Sequence, residues 1–193
     1  MVALIITQLL QVIGGTVAIG GGVIAAFKAI HEIRANRQQR IIEFRWKQVN
    51  AARELLTDIH KHEFAVNAVR MLDWHRGKHE YELPDGSRVT ISWEEILRAL
   101  AQKQAACDSK VDTFVRDCFD WFFYFLDRIE HYTIAGLVER QDVEMVFKPY
   151  ASIIQADRSV FWPFLEYHEY RLAMEFFDRY TTAASSPSSE NPR

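Results

Sequence analysis

Hydrophobic and polar positions fall into two regimes along this chain. Val2 to Phe27 carries no charged residue over 26 consecutive positions. Beyond it, apolar residues recur at helical spacing with charges between them, as in Ile42, Val49, Ala52, Leu56, Ile59, Val66 and Val69. The first regime predicts a membrane-spanning helix, because about 20 apolar residues cross the hydrocarbon layer. The second predicts one or two long helices reaching about Trp74. No proline precedes Pro84.

The pattern then changes period. Tyr81 to Ile91 reads as a small hairpin, with Asp85-Gly86 as its turn and β-branched residues after Arg88. Ser92-Trp-Glu-Glu95 is a capping box, so a helix starts there and runs to about Ala106. Val111 to Tyr132 is densely aromatic: Phe114, Phe119, Trp121, Phe122, Phe123, Tyr124 and Phe125 lie within it. Its apolar run from Trp121 to Leu126 is too short to span a membrane, which predicts a central core helix. Gly136 breaks the pattern. Val143 to Ile154 predicts another amphipathic helix. A last one runs from about Ser159 to about Tyr180, with Pro163 in its first turn.

The fold class expected is therefore all-α: an N-terminal transmembrane helix continuing into a cytoplasmic helical bundle with one small β-hairpin insertion. The boundaries are a transmembrane anchor over 1–27, a basic juxtamembrane helix over 28–53, a helical domain over 54–182 and a Ser/Pro-rich disordered tail over 183–193.

Charge supports that placement. Residues 28–53 carry a net +5 and residues 54–193 a net −8, within a total of −3. The basic collar of Lys28, Arg34, Arg37 and Arg40 suits an anionic inner leaflet, so membrane lipid is the expected partner there. A cleaved signal peptide would want a positive charge before the apolar run, and none precedes it. The expected location is the bacterial inner membrane, single-pass, with the C-terminal domain cytoplasmic. The acidic remainder disfavours nucleic acid as a partner, which needs a basic face. Two cysteines, Cys107 and Cys118, form no disulfide framework, in keeping with a reducing compartment.

The anchor has internal order. Gln8, Gln11, Gly15, Ala18, Gly22, Ala25 and Ala29 repeat at alternating spacings of three and four. That seam of small and polar residues predicts self-association, since such faces let membrane helices approach closely. A pore with Gln8 and Gln11 toward its axis is the more adventurous version.

Catalytic signatures are sparse. Arg70-x4-His75 and Arg53-x6-His60 fit the Arg-x4–6-His spacing of HEPN ribonucleases, in which the Arg holds phosphate and the His moves a proton. Both spacings occur about as often as composition alone produces them, and Arg70 with His75 is the better pair. His75 and His79 have the spacing of two metal ligands, but Gly77 stands between them and no wider ligand framework supports a site. No phosphate-binding loop or nucleophile elbow is present, and no cofactor is expected. Asp112, Arg116 and Asp120 lie one turn apart: on a buried face they would form a satisfied polar cluster, on an exposed face an ion-pair ladder, and the exposed ladder is the commoner arrangement.

One resemblance is carried by the stretch from Phe123 to Val143, with Asp127 and then Gly136-Leu137-Val138-Glu139, and by Val115-Arg116 upstream. It resembles the core of a bacterial domain-of-unknown-function family, short single-pass membrane proteins with a helical cytoplasmic domain. Tyr124 stands where that family has an Asn. The resemblance implies an α-helical, membrane-anchored protein and supplies no catalytic residues. A looser likeness is to anchored accessory proteins of phage-defence and CRISPR systems. The function expected is a membrane-anchored, self-associating interaction or effector module with an unidentified protein partner. The alternatives are a degenerate HEPN-like ribonuclease and a pore-forming effector.

Overall fold

A computed structural model describes the backbone of residues 2–101 and 109–184 and the side chains of residues 28–101 and 109–180. The chain divides into two compact units, Met1–Lys47 and Gln48–Arg193. In chain order the elements are α1 (Val2–Lys61), α2 (Glu63–Asp73), β1 (Lys78–Glu82), β2 (Arg88–Ser92), α3 (Trp93–Ala101), α4 (Lys110–Ile134), α5 (Arg140–Ala156), α6 (Arg158–Tyr167) and α7 (Arg171–Ala184).

The expected membrane anchor is not supported. Among the described residues no helix is long and apolar enough to cross a membrane. From Lys28 on, a charge recurs within every turn or two of α1, through Glu32, Arg34, Arg37, Arg40, Glu43, Arg45 and Lys47. No apolar window of 18 residues survives that spacing. Val2 to Phe27 is helical in its backbone, and its side chains lie outside the described residues. The seam residues Gln8, Gln11, Gly15, Ala18, Gly22 and Ala25 lie there too, while Ala29, Lys28, Arg34, Arg37 and Arg40 are exposed along α1. The inner-membrane location, lipid as a partner, self-association through the anchor and a pore all lose their basis with it.

The second unit is built on α4, as its aromatic density predicts. Phe114, Val115, Cys118, Phe119, Phe122, Phe123, Phe125, Leu126 and Ile129 of this helix are buried. Ser109 caps its start by accepting from the Asp112 amide at 3.0 Å. Helices α2, α3 and α7 pack on α4, and α5 and α6 close against α7 and α3. Ala52, Leu55 and Ile59 of α1 join the same core. The small sheet is an antiparallel pair with Tyr81 opposite Val89. Gly86 turns it at φ +78, a left-handed conformation that glycine adopts without strain. The capping box forms as read: the Ser92 amide donates to Glu95 Oε2 at 2.8 Å, and the Glu95 amide donates to Ser92 Oγ at 3.3 Å.

Two expectations within the bundle fail for tertiary reasons. The single last helix is two, α6 and α7, separated at Glu169, whose φ is 60. The Glu169 amide donates to the Glu166 carbonyl and the Tyr170 amide to the Leu165 carbonyl, the two bonds of a Schellman stop. Asp127 of α4 then accepts from the Leu172 and Ala173 amides at 2.9 and 3.2 Å, capping α7 from a distant part of the chain. The ion-pair ladder is not exposed either. Asp112 and Arg116 are buried, and Arg116 donates to the carbonyls of Ala99 and Leu100 beneath the Phe164 ring.

Candidate functional site

A cleft of about 610 Å³ lies between α2 and the hairpin. Glu63, Val66, Asn67 and Arg70 line one wall, a row spaced three and four apart and therefore on one face of α2. Glu80, Tyr81 and Glu82 of β1 and Arg88 of β2 line the other, and His60 closes one end. The cleft exists because α1 and α2 are separate helices. His62 between them has extended backbone (φ −88, ψ 110), so α2 leaves α1 at a new angle beside the hairpin.

Asn67 is 7% exposed and Tyr81 is 5% exposed. Neither side chain makes a hydrogen bond within the described structure, and both line the cleft. Their polar atoms are not among the sealed ones that lack a partner, so they are reached from the cleft and stay available to a ligand. Burial pushes the Tyr81 phenol up to about 12; the nearby Cys118 adds to the rise and Arg70 opposes it. The hydroxyl therefore stays protonated at neutral pH and can donate.

The charges are mixed. Each wall carries both signs: Glu63 and Arg70 on α2, and Glu80, Glu82 and Arg88 on the hairpin. Arg88 and Glu80 pair loosely at 3.7 Å, while Glu63, Glu82 and Arg70 enter no ion pair among the described residues. His60 Nδ1 lies 2.7 Å from the Leu56 carbonyl, an acceptor only, so that nitrogen carries the proton. Its Nε2 is left as the acceptor of the neutral ring.

The two residues of the nuclease reading are not brought together. Arg70 lines the cleft. His75 does not: its Nδ1 is 2.9 Å from the Leu72 carbonyl and its ring packs edge-on against Trp93. The helix that would align them ends at Asp73, before His75 is reached. His79 has moved to β1 and lies against Trp74. Arg53 and His60 do share a shallow depression of about 450 Å³, but Val49, Ala52 and Leu56 make up much of its lining. Neither pair forms a catalytic or nuclease arrangement among the described residues.

Other polar clusters serve packing. Asp120 accepts from Tyr170 at 2.7 Å and lies 2.9 Å from His168 Nδ1, tying α4 to the link between α6 and α7. Glu130, 1% exposed, takes Arg179 at 2.7 Å and Arg140 at 3.4 Å, joining α4 to α7 and α5. Cys118 is buried, and burial pushes its thiol up, which leaves it unreactive. Cys107 lies outside the described residues.

No protein-family profile, no curated protein and no solved structure matches the chain. The resemblance to the family of single-pass membrane proteins is therefore not upheld, and the phage-defence analogy has nothing to rest on. Of the residues singled out from sequence for chemistry, Arg70 and His60 line the large cleft, each without the partner its spacing suggested. Asn67, Tyr81 and Glu63 carry no motif. The spacing of Glu63, Asn67 and Arg70 was a visible signal, but it marks a polar helix face on any protein.

Proposed function

We propose that the second unit is a binding domain for a small polar ligand that carries both a negative and a positive group. The observation that supports this reading most directly is the pair Asn67 and Tyr81, buried polar side chains that open on the cleft without a protein partner. Arg70 offers the site for an anionic group and Glu63 for a cationic one. The volume suits such a ligand, since small-molecule sites run from about 300 to 1,000 Å³. Glu63 and Arg70 also complement the dipole of α2 at its two ends. That accounts for those two charges and leaves Asn67 and Tyr81 unexplained. Binding rather than catalysis is the reading because no residue in the cleft forms a nucleophile–base pair.

Thermal denaturation of the full chain with succinate, 1,4-diaminobutane and 6-aminohexanoate tests it. The midpoint is expected to rise with 6-aminohexanoate only, and the rise to vanish in Arg70→Gln and in Glu63→Gln. Equal stabilisation by all three compounds, or a rise that survives both substitutions, overturns the reading.

A further inference from the structure

The lining of the cleft includes one feature that side chains do not explain, the outer edge of β1. In an antiparallel pair, successive residues alternate between bonding across the ladder and pointing away from it. The Leu83 amide donates to the Ser87 carbonyl at 2.8 Å, so Leu83 and Ser87 are a bonded pair. With the register that places Glu82 opposite Arg88 and Tyr81 opposite Val89, Tyr81 is bonded to β2 while Glu80 and Glu82 are not. The N–H and C=O groups of Glu80 and Glu82 therefore point outward from β1. Neither takes a backbone partner outside the hairpin, and both residues line the cleft. An unpaired strand edge is a template for another extended chain.

The opposite wall supplies the length. Glu63 and Arg70 are seven residues apart on α2, about 10.5 Å along its axis at about 1.5 Å per residue. Three extended residues span about 10 Å, at about 3.3 Å each. Asn67 lies between them on the same face, and a carboxamide is both donor and acceptor, the complement of a peptide group.

Resting on the zwitterion reading above, we infer that the ligand is a short free peptide of about three residues, held extended between β1 and α2. Its main chain pairs with Glu80 and Glu82. Its carboxylate meets Arg70 and its terminal ammonium meets Glu63. Asn67 and the Tyr81 hydroxyl bond the N–H and C=O of its central residue. Recognition falls on the main chain and the two termini, so the site is tolerant of side chains.

The test is a nuclear magnetic resonance titration of the full-length, nitrogen-15-labelled protein. The probes are trialanine, trialanine methylated at the amide nitrogen of its central residue, C-terminally amidated trialanine and 6-aminohexanoate. Trialanine is expected to bind at least tenfold tighter than the other three and to shift the amide signals of Glu80 and Glu82. Asn67→Leu is expected to weaken trialanine about as much as the central methyl group does. Equal binding of trialanine, its methylated form and 6-aminohexanoate overturns the peptide and leaves the zwitterion site standing. Absence of binding by trialanine and 6-aminohexanoate alike overturns both.

Discussion

Arg116 and Asn67 are each 7% exposed, yet the bundle treats them oppositely. Arg116 spends its guanidinium on two α3 carbonyls and an aromatic face. Asn67 spends its carboxamide on nothing within the described structure. The same contrast separates their neighbourhoods. On α4, Asp112 pairs with Arg98 at 3.1 Å, Asp120 holds Tyr170, and Glu130 gathers two arginines. In the cleft, Asn67, Arg70, Glu63 and Tyr81 line one space without bonding one another. Burial alone therefore does not mark a functional polar group. Burial with a partner marks a structural one, and burial against an open cleft without a partner marks one available to a ligand.

Removing Glu130 breaks the structural side of that contrast most severely. Glu130→Ala opens a space in the core and strips two partly exposed guanidiniums of their shared buried carboxylate, and the cavity and lost pairs together cost about 3 kcal/mol. The expected result in a thermal melt is a midpoint lower by about 6 to 12 °C, at roughly 2 to 4 °C per kcal/mol for a domain of this size. A drop under about 2 °C would place Glu130 among the dispensable charges.

Asp127→Ala sharpens the same side at smaller scale. It removes the acceptor for the first amides of α7, a loss of about 1 kcal/mol, as for other helix caps. Hydrogen exchange is expected to speed at Leu172 and Ala173 before it speeds elsewhere. Uniform acceleration across the bundle would deny the capping role.

The cleft is expected to answer in the reverse sense. Arg70→Gln should leave the melting midpoint almost unmoved while raising the pKa of Tyr81 further. The positive charge of Arg70 now favours the phenolate, so its removal disfavours ionisation and shifts the titration upward. Tyr150 serves as the control. Burial, with its bond to Asp73 behind it, also pushes its phenol up to about 12. Ultraviolet titration of the variant should move one phenol and not the other. Movement of both, or of neither, would break the distinction between the two regions.

Much of the second unit was legible along the chain, and most of what defines the cleft was not. The hairpin, its Gly86 turn and the Ser92–Glu95 capping box are local devices, complete within a few residues, so their sequence signals are complete too. The α4 core helix was legible because its aromatic residues recur with the helical period. Where a helix stops was legible at Gly136, whose φ is 72, because glycine is the residue that favours that conformation. The same stop at Glu169 was hidden. A glutamate carries no such signal, and the cap that restarts the helix comes from Asp127 on α4. The apolar run at the N-terminus has side chains outside the described residues, among which no helix is long and apolar enough to cross a membrane. Hydropathy over Val2 to Phe27 speaks only of that segment, and the described part of α1 continues it as a charged helix.

The sequence by itself determined the local grammar: which segments are helical, where the hairpin turns, and which face of α4 is apolar. Each depends on periodicity and caps that act within about one turn of chain. Tertiary structure alone decided which polar groups found partners. It paired Glu130 with Arg140 and Arg179, and it set Asn67 and Arg70 across from the free edge of β1. Hydrogen bonding and desolvation are properties of surroundings assembled from distant segments. The residues that mark the proposed site are therefore ordinary in the sequence and distinct only in the fold.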